Sequence, residues 1–191
     1  MQRRVVITGC GVVCAAGTEL NGFWSQLLKG TCFIRPLRRF SVLDMEGLMG
    51  AEVELPDGED YPDALERDRC GMLALAAARR AVTDARLPAD PAVRLRTGVI
   101  LGTTLAEERQ VGDLSERWAV QGAESIDPGF LARVDSHRLA ALVAARHELG
   151  GPAILCAAAC SSGNAATALG FDLVMSGVAE TMVVGATDTL T

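Results

Sequence analysis

Four short apolar runs, at residues 4–8, 97–101, 153–158 and 181–184, most constrain what this chain can fold into. The first runs into Gly9 and Gly11, the second is closed by Gly102, the third leads to Cys160-Ser161-Ser162-Gly163, and the fourth meets Gly185. Runs of this length, bounded by turn residues, read as buried strands. The segments between them carry helical spacing. Residues 21–29 place Phe23, Trp24, Leu27 and Leu28 on one face, with Gly30 as a stop. Residues 63–85 form the longest expected helix, ending before Leu87-Pro88, and residues 105–121 read as a loop with a helix. Asp127-Pro128 is a good helix start. Further helices are expected at 136–147 and 161–176. Between residues 33 and 62 the pattern breaks into an irregular insertion, with a short strand expected at 51–55. Strands alternating with helices predict an α/β domain with a mainly parallel sheet covered on both faces.

Composition narrows the function classes. The 191 residues suffice for one substantial core. Hydrophobic residues make up 49% and aromatics only 4%, which favours close helix–sheet packing over a β-sandwich or a disordered chain. A net charge of -6 argues against a dedicated nucleic-acid binder, because no excess of cations is present to neutralise phosphates.

The six cysteines, Cys10, Cys14, Cys32, Cys70, Cys156 and Cys160, mostly sit in apolar surroundings and read as reduced, mainly core-filling thiols. Two C-x3-C spacings raise the question of a metal. If 153–158 is a strand, residues four apart along it lie about 13 Å from each other, too far to share one ion, so no metal site is expected. No cofactor is expected either. The start has the outline of a signal peptide, but Thr8, Gly9 and Gly11 interrupt its apolar stretch. No run approaches the ~20 apolar residues of a membrane span, and a cytoplasmic location is expected.

Cys160 is the residue with chemistry. It follows an apolar strand and opens a helix, where free backbone N–H groups and the helix dipole favour a thiolate. The same N–H groups can stabilise an oxyanion on an attached acyl carbonyl. Ala157, Ala158, Ala159, Gly163, Ala165 and Ala166 leave room around it, and Ser161 and Ser162 can satisfy first-turn donors. The residues alone leave a second reading open, a buried structural cysteine.

Five ordered blocks carry a resemblance. Gly151-Pro-Ala-Ile-Leu-Cys-Ala-Ala-Ala-Cys-Ser-Ser-Gly163 resembles the ketosynthase pattern of Gly-Pro, an apolar strand, then Thr-Ala-Cys-Ser/Thr-Ser-Gly. Arg4-Val-Val-Ile-Thr-Gly-Cys-Gly-Val-Val13 with Gly17 resembles that family's opening strand and turn. Asp68-Arg-Cys70, with the helix reaching Asp84-Ala-Arg-Leu87, resembles its Asp-Arg-Phe helix. Thr97-Gly-Val-Ile-Leu-Gly102 and Ala179-Glu-Thr-Met-Val-Val-Gly-Ala186 are similar to two further strands. The chain thus resembles the N-terminal half of a β-ketoacyl-[acyl carrier protein] synthase, over residues 1–191. Ala158 stands where Thr is usual, and Cys70 replaces Phe and thins the local core. Asp172 reads as solvated.

The resemblance implies a thiolase-like fold of two similar halves, each with a five-stranded mixed sheet and helices on both faces. It makes Cys160 the catalytic nucleophile, acylated before a decarboxylative condensation with malonyl-carrier protein. In the family two histidines and a lysine come from the C-terminal half, which this chain lacks. His137 and His147 match neither family motif and read as polar positions on a helix before Gly150. The acyl pocket is implied to be bordered by Gln110 and Val111. Acyl carrier protein is the implied partner, with Arg67 and Arg69 as docking candidates and Arg35, Arg38 and Arg39 before them; ordinary solvated arginines are the other reading. A homo- or hetero-oligomer is also implied, with strand 153–158 pairing across a dimer. The leading expectation is a cysteine-bearing subunit completed by a separate C-terminal half. The alternatives are a non-catalytic partner like a chain-length factor, or a truncated fragment.

Overall fold

The computed structural model describes residues 4–38, 47–55, 61, 69–104, 106, 108–129 and 135–189. In chain order the elements are α1 (Leu20–Leu28), β1 (Arg35–Pro36), β2 (Met49–Gly50), α2 (Arg69–Asp84), α3 (Pro91–Arg94), β3 (Thr97–Gly102), α4 (Glu108–Gln121), α5 (Arg138–Arg146), β4 (Ala153–Cys156), α6 (Ser162–Ser176) and β5 (Thr181–Ala186).

The sheet is built on β3, whose six residues are all buried. It pairs in parallel with β4 on one side, Gly102 opposite Cys156, and with β5 on the other, Gly102 opposite Ala186. The order is β4-β3-β5, and the burial agrees with it: the central strand has no exposed position, while both edge strands do. Alternate residues then face opposite ways. Val99 and Leu101, with Leu155 and Val183, join Leu75, Leu139 and Val143 of α2 and α5 in the main core. The other face carries α6, where Gly170 lies against Val184 and Gly163 against Ala186. Helices therefore cover both faces, as the alternation predicts.

Local signals explain most boundaries. Asp90 caps α3 by accepting a hydrogen bond from Ala92 N at 2.8 Å, with Pro91 in the first turn. Gly177, with φ of 81°, ends α6, and Val178 N returns to Leu173 O at 3.0 Å. Asp127 accepts from Gly129 N at 3.0 Å, and helix begins at residue 128 as expected; residues 130–134 lie outside the described residues. The expected long helix at 63–85 is observed as α2, its residues 63–68 lying outside the described residues.

Several expectations are corrected. Residues 4–8 join no ladder among the described residues, and Val6 and Ile7 are 71% and 82% exposed instead of buried. The chain is held instead at Gly9 and Gly11, which press against the backbone of α2, and at Cys10 N, which donates to Asp84 Oδ2 at 2.9 Å. Residues 51–55 are not a strand. The local pairing is antiparallel between β1 and β2, just upstream, while the carbonyl of Val53 is taken by the Arg69 guanidinium. Where the resemblance implies five mixed strands, this sheet has three among the described residues, all parallel. The cysteines are less core-filling than their neighbours suggested: Cys70 is buried, Cys14 and Cys156 are half-buried, and Cys10, Cys32 and Cys160 are exposed. No described helix is long and apolar enough to cross a membrane.

Candidate active site

The carboxyl ends of three parallel strands meet at one end of the sheet, the position where open α/β sheets hold their sites. Gly102 leads into Thr103 and Thr104, Cys156 leads to Cys160, and Ala186 leads into Thr187 and Asp188. Cys160 is exposed on the turn between β4 and α6, two residues before the helix begins.

That turn is tightly tied. Ala159, at φ of 49°, occupies the left-handed region that L-residues avoid. Ser162, buried to 3% exposure, donates through Oγ to Ala159 O at 2.7 Å and accepts from Ala158 N at 2.9 Å. Ser161 Oγ donates to Ala158 O at 2.7 Å. The two serines therefore fasten the turn rather than cap the helix, a correction to the sequence expectation: Ser161 makes no capping hydrogen bond. Cys156 Sγ lies 3.6 Å from Ser162 O, adding a weak link from the strand.

The neighbouring strand ends supply residues that sequence reasoning missed. Thr104 Oγ1 donates to Ala159 O at 3.2 Å and lies 3.3 Å from Ser162 Oγ. Asp188 Oδ1 accepts from Thr103 Oγ1 at 2.6 Å, and from Thr104 N and Ala106 N at 3.2 Å each. The signal available was positional: hydroxyls and a carboxylate directly after the two other strands of the parallel sheet that β4 joins. Cys70, expected only to thin the core, donates from Sγ to Thr187 Oγ1 at 3.5 Å, while Thr187 Oγ1 donates to Cys70 O at 3.2 Å.

The remaining predicted residues are more dispersed. Gln110 is buried on α4, and Val111 beside it is 47% exposed. Arg69 is half-buried with its guanidinium on Val53 O, and Arg67 and Arg39 lie outside the described residues. Arg35 donates to Ile34 O at 2.8 Å, and Arg38 N to the Glu52 carboxylate at 3.2 Å. A hollow of about 240 Å³ separates Gly11–Val13 from Ala186–Asp188, and a second of about 350 Å³ adjoins it; Cys160 lines neither.

The histidines stand apart from the cysteine's turn. His137 is exposed before α5, its Nδ1 2.9 Å from Asp135 Oδ1. The backbone N–H of His137, and secondarily its ring, hold the Asp135 carboxyl below the usual range. His147 closes α5, and burial, reinforced by the Arg146 and Arg94 charges, holds its imidazole below the ordinary value.

Residues 2–191 match the family described as "Beta-ketoacyl synthase, N-terminal domain". Nodulation protein E of Rhizobium meliloti (strain 1021) is 32% identical over 98% of this chain and 47% of its own length. The 3-oxoacyl-[acyl-carrier-protein] synthase 2 of a Synechocystis species is 28% identical over 98% of this chain and 46% of its own. Among solved structures, the ishigamide ketosynthase/chain length factor superposes with a TM-score of 0.85 at 30% identity, covering all of this chain and 48% of that one. A type II polyketide acyl-carrier protein in complex with its ketosynthase shares the fold, with a TM-score of 0.75 at 21% identity over 99% of this chain and 46% of that one. The chain spans about half the length of the relatives it matches. It belongs to the β-ketoacyl synthase family, within the N-terminal domain of that family.

Proposed function

We propose that Cys160 is the acyl-accepting nucleophile of a β-ketoacyl-[acyl carrier protein] synthase, and that this chain is its cysteine-bearing, thiolase-like half. The observation that carries the reading is the placement of an exposed cysteine on a fastened turn, immediately before a long helix, at the carboxyl ends of three parallel strands. In the loading step, Cys160 Sγ bonds to the acyl carbonyl carbon of a thioester. The bond to the donor sulfur breaks, and the donor leaves as a thiolate that takes up a proton. Ser162 N is taken by Ala159 O, so the donors we assign to the oxyanion are the first-turn N–H groups of α6 that follow it.

In the condensing step, malonyl-carrier protein loses CO2, and the resulting enolate carbon attacks the acyl carbonyl. A C–C bond forms, the bond to Cys160 breaks, and the thiolate is regenerated. Charge on the enolate needs donors, and His137, paired with Asp135, and His147, closed in by Arg94 and Arg146, are poorly suited. The remaining half of the enzyme, in the same or another polypeptide, is therefore proposed to provide histidines. On this reading acyl carrier protein docks near Arg67 and Arg69, Gln110 and Val111 border the acyl pocket, and the sheet reaches five mixed strands.

A second reading, a chain-length-factor-like partner without chemistry, is favoured by one observation: the solved structure superposing at 0.85 contains both a ketosynthase and a chain length factor. Retention of Cys160 in an exposed position weighs against it. The test is ketoacyl product formation from acyl- and malonyl-carrier protein, with and without a histidine-bearing half. Turnover that needs that half and vanishes in Cys160→Ala supports the enzyme reading; turnover that survives Cys160→Ala supports the partner reading.

A further inference from the structure

The turn that carries Cys160 is not held by its own strand and helix alone. The carbonyl of Ala159, the residue before the cysteine, receives three donors: Ser162 N at 3.1 Å, Ser162 Oγ at 2.7 Å and Thr104 Oγ1 at 3.2 Å. Two come from α6, and the third comes from the chain leaving β3. Thr104 is in turn fixed by its own backbone: its N–H donates to Asp188 Oδ1, the oxygen that also gathers Thr103 Oγ1 and Ala106 N. A single carboxylate oxygen beyond β5 thus sets the path of the chain beyond β3, and one hydroxyl on that path reaches the residue preceding the cysteine. Ala106 and Ala159, at opposite ends of this chain of contacts, have φ of 38° and 49°. Left-handed backbone is unfavourable at alanine, so it persists only where surrounding bonds over-determine it.

We propose that Asp188 and Thr104 are positioning residues for Cys160: Asp188 holds Thr103, Thr104 and Ala106, and the Thr104 hydroxyl locks the Ala158–Ser162 turn that presents the thiol. The proposal rests on Cys160 being the nucleophile, but the lock itself can be read without any reaction. The three bonds that Asp188 accepts here all end on Oδ1, so an amide oxygen can take its place. Thr104 acts through its hydroxyl, so serine can take its place and valine, of the same shape, cannot.

The experiment measures amide hydrogen exchange over residues 158–163 of the 191-residue chain, together with the rate at which octanoyl-N-acetylcysteamine acylates Cys160. The variants are Thr104→Val, Thr104→Ser, Asp188→Ala and Asp188→Asn, with exchange over β3 as the control for the fold. Thr104→Val and Asp188→Ala are expected to raise exchange in the turn by about fivefold, the effect of one lost hydrogen bond. They are expected to slow acylation by about tenfold, since small misplacements of a reacting group are costly. Thr104→Ser and Asp188→Asn are expected to stay within about twofold of the parent in both. Unchanged exchange in Thr104→Val overturns the lock, whatever the acylation shows. Faster exchange with undiminished acylation overturns the positioning role. Faster exchange where the parent chain itself takes no acyl group supports the lock and instead removes Cys160 as the nucleophile.

Discussion

Gly102→Ala is the substitution from which the site's architecture is most readily tested. Gly102 ends the buried central strand β3 and has ordinary extended geometry, so alanine is conformationally permitted there. Permitted Gly→Ala changes stabilise by about 0.4–1 kcal/mol through the unfolded chain. Space decides against it. A Cβ at this position would overlap the carbonyl group of Ser162 and come within 3.0 Å of Gly163 N, all backbone atoms at the start of α6. Neither side can yield cheaply, because β3 is fixed by ladders on both edges. The first turn of α6 must therefore retreat by roughly an ångström to regain ordinary contact. Overpacking of this kind costs about 1–3 kcal/mol, which exceeds the conformational gain. At about 2–4 °C per kcal/mol for a chain of this size, the melting temperature is expected to fall by several degrees. The displaced turn should also slow acylation of Cys160 by at least about tenfold. Gly112→Ala is the matched control: no atom lies within 4 Å of its added Cβ, it sits on exposed α4, and it should stabilise by about 1 kcal/mol. Thermal denaturation of both variants is the assay. A Gly102→Ala chain as stable as its parent, or as stable as Gly112→Ala, would refute the claim that this glycine seats the helix that follows Cys160.

Ala159→Gly should raise the melting temperature by a few degrees, since relief of about 1–2 kcal/mol of left-handed strain outweighs the roughly 0.5–1 kcal/mol entropic cost of glycine; a fall would mean the strain is absent. His147 is held below its ordinary value in the fold, so below pH 6.5 the unfolded chain takes up a proton that the folded chain resists. Its contribution is thus complete above pH 6.5 and is lost as pH falls toward the lowered folded value. Melting curves between pH 7.5 and 5.5 should show a smaller decline for His147→Gln than for the parent, and equal declines would contradict the assignment.

The regular elements were legible because their signals are local. The apolar runs at 97–101 and 181–184, the Asp127 helix start and the strand-to-helix placement of Cys160 each depend on neighbours within a few residues. Contacts across the chain were not legible. Residues 4–8 have strand composition, yet pairing needs a partner edge, and Gly9 and Gly11 instead settle against α2. Ser161 and Ser162 have the composition of helix caps, but the left-handed Ala159 turns their hydroxyls toward the preceding carbonyls. Thr104 and Asp188 meet across 84 residues, and nothing in either residue's own neighbourhood reports the other. The family resemblance pointed to Cys160 and left these contacts unseen.

The most direct measurement of the central claim is intact-mass analysis and peptide mapping after exposure of the chain to an acyl thioester. The account predicts a single acyl adduct on the peptide containing Cys160, none in Cys160→Ala, and none on Cys10 or Cys32, which are also exposed but precede no comparable helix. Acylation spread over Cys10, Cys32 and Cys160 alike, or persisting in Cys160→Ala, would contradict it.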